Sequence, residues 1–247
     1  MANSGRAQSG DSTAEGNDVA VTSTLEQVAE KLEVQPSALA KMIRIMHEED
    51  RPTEELGMRL HQLATQYNEL VAQLHRIMPN DDPTVQSLRN RAADAMERGN
   101  FDLANSFLIE ARDIDARAVD VPFGTHDERL LSQAETLARL GLLARARLKY
   151  LDAAKHFAEA SAFVPENARP KRWGYLMEET SALFAQGSEF GDNYALLDAV
   201  TVCHAALGER SRNNTPLDWA STQQNLARLS TNRPDRRCID GLSGQRG

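Results

Sequence analysis

The feature that most constrains the fold of this chain is a repeated spacing of large and small apolar residues. In its clearest copy these residues fall at offsets 0, 3, 4, 7, 13, 16, 20, 23 and 28, and they are Leu137, Leu140, Gly141, Ala144, Tyr150, Ala153, Phe157, Ala160 and Pro165. Offsets of three and four place side chains on one face of a helix. Small residues beside bulky ones allow two helices to cross closely. The spacing therefore predicts a tightly packed pair of antiparallel helices.

Three other segments carry the same pattern less completely. The upstream copy has Arg91 at a usually apolar position and a turn at Gly99 and Asn100; its remaining positions are Leu88, Ala92, Ala95, Phe101, Ala104, Leu108 and Ala111. The third copy has Thr180 where Gly or Ala is expected, and residues 188–195 predict a lengthened turn; its other positions are Leu176, Leu183, Gly187, Leu196, Ala199, Cys203 and Ala206. The fourth copy supplies only a first helix, around residues 216–229.

This pattern of large and small apolar residues resembles the tetratricopeptide repeat, a helix pair that stacks on further pairs to form an α-solenoid. Residues 224–227, Gln-Asn-Leu-Ala, are similar to kinesin-light-chain-like repeats, and residues 206–220 look like the linker of long-unit bacterial members. The anchors Leu88, Leu137, Leu176 and Gln223 lie 49, 39 and 47 residues apart. The standard repeat has about 34 residues, so longer helices or turns are expected. An ordinary helical bundle with the same apolar stripe is the alternative.

The predicted fold is all-α, with an N-terminal helix-turn-helix-like region followed by a tetratricopeptide-type α-solenoid. Apolar residues make up 41% of the chain, aromatic residues only 5%, and no segment reads as a convincing strand. We expect disordered tails at 1–23 and 231–247 and a separate helical adaptor region at 24–78. The repeats occupy 84–230, in units of about 84–118, 126–168, 170–213 and a partial 216–230. Asp82 with Pro83, and Thr125 with Glu128, predict two helix starts.

Residues 24–50 resemble a helix-turn-helix. Ala29 is the small residue at the crossing, Val34 plugs the turn, Leu39 and Met42 hold the second helix, and Glu33 replaces the usual glycine. The second helix offers few DNA-binding donors, chiefly Ser37, Lys41 and Arg44. Residues 24–78 carry 6 basic and 9 acidic residues, a net charge of −3. A small adaptor or end cap is therefore favoured over a DNA reader.

Charge and composition exclude several function classes. The net charge of −8 disfavours binding to nucleic acid or anionic membrane. Neither a signal peptide nor an apolar run of membrane-spanning length occurs, so a cytoplasmic protein is expected. Two cysteines are too few for a disulfide framework.

No catalytic, cofactor-binding or metal-binding residue is predicted. His47, His61 and His75 recur every 14 residues, and on a continuous helix that spacing separates neighbours by about 21 Å, too far to share a metal ion. Phosphate-binding loops, paired-histidine zinc motifs and nucleophile elbows do not occur. The chain is therefore expected to be a non-enzymatic scaffold. A transcriptional regulator with a repeat sensor domain is the principal alternative, and an inactive or truncated piece of a larger signalling protein is a third.

The resemblance implies that the first helix of each unit lines a concave groove that binds a protein or peptide ligand. Transferred by position, the predicted peptide-binding residues are Arg89, Met96, Leu142, Arg145, Met177, Ser181 and Asn225. The Lys and Asn clamp of chaperone-binding members is missing, because Arg89, Ala93, Ala138 and Leu142 stand there. The groove is expected to be apolar with two arginines, which suits a helix or strand of a protein ligand. Self-association through 216–230 is also expected, because the fourth unit lacks a second helix.

Overall fold

The computed structural model describes residues 26–48, 56–76, 82–117, 125–210 and 215–231, and over these ranges the chain is all-α. The helices are α1 (26–31), α2 (Pro36–Glu48), α3 (Leu56–Leu74), α4 (Pro83–Glu97), α5 (Phe101–Arg117), α6 (His126–Ala146), α7 (Tyr150–Phe163), α8 (Arg169–Phe190), α9 (Asn193–Glu209) and α10 (Pro216–Thr231). None of these described helices is both long and apolar enough to cross a membrane. The tails expected at 1–23 and 231–247 lie outside the described residues, apart from Thr231 at the end of α10.

From α4 onward, each helix packs against the next one in the chain. The pairs α4–α5, α6–α7 and α8–α9 occupy the three predicted units, and α10 packs on α9. Side chains also join every second helix. Arg89 of α4 contacts Thr136 of α6, Glu135 of α6 contacts Lys171 of α8, and Trp173 of α8 contacts Thr222 of α10. We call α4, α6, α8 and α10 the even row.

Helix boundaries follow local chemistry that was readable in the sequence. The Asp82 carboxylate accepts a hydrogen bond of 2.7 Å from the Thr84 amide, and Pro83 fills the first turn of α4. Thr125 and Glu128 form the predicted capping box at the start of α6. Gly99, with a φ of +70°, makes the turn between α4 and α5, a backbone conformation that favours glycine. These three predictions are confirmed.

The lengthened turn predicted at 188–195 is wrong. Helix α8 continues to Phe190, and α9 begins at Asn193, so only two residues separate the helices. Gly191 takes a φ of +69° and ends α8, and the Asp192 carboxylate caps α9 by accepting from the amides of Tyr194 and Ala195. Because a left-handed glycine followed by a capping residue completes the reversal, no longer loop is needed.

The four apolar residues predicted to hold a helix-turn-helix near the N-terminus lie in the core. Ala29, Val34, Leu39 and Met42 are all buried. Glu33 has a φ of +55°, so it adopts the left-handed conformation in which glycine was expected.

Helix α3 lies against the even row. It packs on α4 and α6, and the ion pair between Arg59 and Glu189 links it to α8. The Tyr67 hydroxyl donates a hydrogen bond of 3.0 Å to the carbonyl of Met96 on α4. Apolar residues of α2 and α3 belong to the same hydrophobic core as those of the repeats. The described part of 24–78 therefore packs on the even row and shares its core.

The last helix presents less apolar surface than its sequence suggested. Leu229 is buried, and Leu226 packs against the core. Leu217, by contrast, is 84% exposed at the start of α10. Self-association through 216–230 stays a prediction, and Leu217 is the apolar residue of α10 most available for it.

Candidate functional site

A cleft of about 290 Å³ opens between α6 and α8, where α3 ends. Each of the two helices lines it with four residues at offsets 0, 3, 4 and 7, the spacing of one helical face. We call it the α6–α8 cleft. Its lining comprises Gln73 of α3, Arg76 just after α3, Glu135, Ala138, Arg139 and Leu142 of α6, Phe157 of α7, and Lys171, Gly174, Tyr175 and Glu178 of α8.

The floor of the cleft is apolar, and part of it is a phenylalanine ring that packs directly on a glycine. Phe157 is 1% exposed, and its ring lies so close to Gly141 that a Cβ atom on Gly141 would be 2.9 Å from it. Gly174 contributes in the opposite way: a Cβ atom there would meet nothing within 4 Å. The missing side chain of Gly174 therefore keeps space open above the floor formed with Ala138 and Leu142.

Charged side chains form the walls. Glu135 pairs with Lys171, and its carboxylate lies 4.0 Å from Arg139; Glu178 pairs with Arg145 just outside the cleft. The Arg139 guanidinium also donates to the Gln73 carbonyl at 3.1 Å, which satisfies a backbone acceptor in the last turn of α3. The lining holds three basic and two acidic residues, so the cleft is net positive within a chain of net charge −8.

Burial and charge act in opposite directions on the titratable groups of the walls. Burial alone would raise the pKa of Glu135, but Lys171, Arg139 and Arg89 outweigh it and lower that pKa. Burial and the neighbouring Glu135 carboxylate raise the pKa of Tyr175. At neutral pH the cleft thus presents a carboxylate, a neutral phenol and fixed cations.

A buried polar network supports α6 from behind. The Arg89 guanidinium donates to the Thr136 hydroxyl at 2.6 Å and to the Ser132 carbonyl at 3.0 Å, and it lies 3.7 Å from Asp115. The Ser132 and Thr136 hydroxyls in turn donate to the Asp115 carboxylate at 3.2 and 2.8 Å. This network ties α4, α5 and α6 together and holds α6 in place beside the cleft.

The buried carboxyl group of Glu179, which is next to Glu178 on α8, makes the stability of the fold depend on pH. Burial, reinforced by Asp198 of α9, raises the pKa of Glu179 from 4.5 to about 7. The folded chain therefore favours the protonated acid. The stability contributed by this group is fully present at pH below about 4.5 and is lost as pH rises through about 7.

We expect the melting temperature of Glu179→Gln to rise relative to wild type as the pH is raised from about 5 to about 8 in thermal unfolding. A difference independent of pH would contradict the assignment.

The seven predicted peptide-binding residues divide into two groups. Arg89, Met96, Leu142 and Arg145 are buried, with exposures of 0, 0, 5 and 9%. The expectation that Arg89 and Met96 face an open groove is wrong, because α3 and the network around Asp115 cover α4. Arg145 pairs with Glu178. Leu142 still lines the α6–α8 cleft. The other three, Met177, Ser181 and Asn225, are partly exposed.

The structure also brings together residues that the repeat pattern did not select. Arg139, Lys171, Tyr175 and Glu178 line the cleft. The sequence did contain an indication of these residues. One face of α8 that begins at Lys171 has the same offsets as one face of α6 that begins at Glu135. The repeat template placed the exposed face of α8 elsewhere, through Met177 and Ser181.

Comparison with protein-family models, with curated proteins and with solved structures found no match for this chain. Within the described ranges, no three histidine, cysteine, aspartate or glutamate side chains cluster as ligands for a metal ion.

Proposed function

We propose that this chain is a non-enzymatic interaction scaffold of the tetratricopeptide type, whose helix pairs form a solenoid that holds a segment of another protein. The α6–α8 cleft is the observation that carries the proposal. An apolar floor with a few charged groups at its walls is typical of a site that anchors a ligand. The cleft also lies on first helices of the repeats, where the resemblance places the ligand.

Helix α3 supports the same function. It lies on α4 and α6 as a bound helix would, with the Gln73 carbonyl accepting from Arg139 and the Tyr67 hydroxyl donating to α4. Part of the even row is thereby covered by the chain itself. The part left to a partner extends from the cleft along α8 to α10, where Met177, Ser181 and Asn225 are partly exposed.

A DNA-binding regulator is the second candidate, because the four residues predicted to hold a helix-turn-helix, Ala29, Val34, Leu39 and Met42, are buried. The recognition helix of a helix-turn-helix protein uses its N-terminal residues to contact DNA bases. In this chain the first turn of α2 packs on the turn between α4 and α5: Ser37 donates to the Glu97 carbonyl at 3.3 Å, and a Cβ atom on Gly99 would lie 2.6 Å from the Ser37 carbonyl oxygen. This packing and the acidic charge favour the scaffold.

Affinity capture with paired variants tests the scaffold function. We expect wild-type protein to retain a protein partner from the native cell, and Ser181→Arg with Asn225→Arg to lose it, because these positions lie on the open part of the even row. The matched control places the same two residue types on α5 and α7: Asn105 and Ser161 are also partly exposed, and Asn105→Arg with Ser161→Arg should retain the partner. Mass spectrometry of the captured material reads out the difference.

Two results would count against this function. Retention that is equal in both double variants would place the interaction off the even row. Salt-sensitive binding of wild-type protein to DNA, weakened by Arg44→Ala, would favour the regulator instead.

A further inference from the structure

The size and floor of the α6–α8 cleft suit one large apolar side chain. Its volume of about 290 Å³ lies just below the range of about 300–1,000 Å³ that is typical of small-molecule sites. Ala138, Leu142 and the edge of Phe157 form an apolar floor, and Gly174 leaves the space above it empty. Burying one leucine or phenylalanine there would remove its apolar surface from water.

The walls select for negative charge beside that side chain. Both acidic residues of the lining are already paired, Glu135 with Lys171 and Glu178 with Arg145. Arg76 is exposed, and its guanidinium contacts no carboxylate among the described residues. The Lys171 side chain is 37% exposed, and an ammonium group has three donors, so it retains capacity for a second carboxylate. The charge left to a ligand is therefore positive.

The even row favours a peptide as the source of that carboxylate. It already accepts a helix, α3, whose backbone carbonyl at Gln73 receives a hydrogen bond from Arg139 in the cleft wall. Beyond the cleft, partly exposed side chains continue along α8 and α10 at Met177, Ser181 and Asn225. A ligand that is longer than one side chain thus finds further surface on the same row.

We propose that the partner segment is an acidic peptide, which places one large apolar side chain in the α6–α8 cleft and an aspartate or glutamate carboxylate beside Arg76 and Lys171. This inference rests on the proposed scaffold function and deepens it by stating the chemistry of the ligand.

Selection from a phage library of random short peptides tests the inference. Wild-type protein should enrich peptides in which a large apolar residue stands within one helical turn of an acidic residue. A selected peptide should bind Gly174→Trp about tenfold or more weakly, because the new side chain fills the cleft. It should bind Arg76→Gln about two- to fivefold more weakly, the effect of an exposed ion pair. The loss in Arg76→Gln should shrink at high salt.

Matched controls separate blocking of the cleft from general damage. Gly208 on α9 is also a helical glycine with nothing within 4 Å of a Cβ atom, so Gly208→Trp should bind like wild type. Lys155→Gln removes an exposed positive charge from α7 and should also leave affinity unchanged.

The inference is overturned if the library yields no enriched peptides, if the enriched peptides are basic, or if Gly174→Trp binds them as wild type does. Such a failure is distinguishable from failure of the scaffold function. A partner captured by wild-type protein and lost in Ser181→Arg with Asn225→Arg would leave the scaffold in place while removing this ligand from the cleft.

Discussion

Phe157→Ala is expected to lower the free energy of unfolding by about 3–5 kcal/mol. The Phe157 side chain is 1% exposed, packs on Gly141 and belongs to the main hydrophobic core. Removing the ring leaves a cavity between α6 and α7, and the helix backbone at Gly141 has no side chain of its own to fill it. Denaturant unfolding followed by circular dichroism gives the measurement.

Leu151→Ala is the matched control for this change. Leu151 lies on the same helix, α7, and is 51% exposed. Leu151→Ala also removes a large apolar side chain but opens no cavity, so the free energy of unfolding of this variant should change by less than about 0.5 kcal/mol. Equal effects in the two variants would show that the register of α7 against α6 is wrong.

Arg89→Met is also expected to lower the free energy of unfolding by about 3–5 kcal/mol. Arg89 is 0% exposed and Asp115 is 8% exposed. Without the guanidinium, the buried Asp115 carboxylate loses a cation 3.7 Å away and keeps the hydrogen bonds from the Ser132 and Thr136 hydroxyls. Because the penalty comes from a buried charge that has lost this cation, adding Asp115→Leu should recover most of the loss. Denaturant unfolding of both single variants and the double variant gives the coupling between the two residues.

An exposed pair of the same residue types provides the comparison. Arg112 and Asp113 form an ion pair at 2.8 Å with side chains 38 and 46% exposed. Arg112→Met should therefore cost less than about 1 kcal/mol, since water solvates the remaining carboxylate. If Arg89→Met were as mild as Arg112→Met, the network around Asp115 would not hold α4, α5 and α6 together.

Those features of the fold that depend on local sequence were predictable. The capping of α4 by Asp82 and of α6 by Thr125 follows from residues within one turn, as does the left-handed turn at Gly99. The apolar ladder identified the buried face of each helix pair, including Phe157 and Cys203. Arg91, which interrupts the ladder, lies 4.1 Å from the centre of the Phe107 ring, so its cation packs on an aromatic face where an apolar residue was expected.

Contacts between distant parts of the sequence were not predictable in this way. Exposure of Arg89 and Met96 was expected from their positions on a first helix, but their burial depends on Asp115 and on α3. The length of α8 was misread because Gly187 lies where helices cross closely, with a Cβ position 2.3 Å from Leu196, whereas Gly191 ends the helix. A single sequence does not distinguish these two uses of glycine.

The position of α3 has a consequence for how the chain unfolds. In a linear repeat array each unit contacts only its neighbours, so unfolding can begin at one end and proceed unit by unit. Helix α3 contacts α4 and α6 and reaches α8 through Arg59 and Glu189, so it connects three helices of the even row at once. Fraying of any one of them then breaks contacts with a helix that the others also hold. We therefore expect α3 and the even-row helices that it contacts to unfold together, and α10, which packs on α9, to open before them.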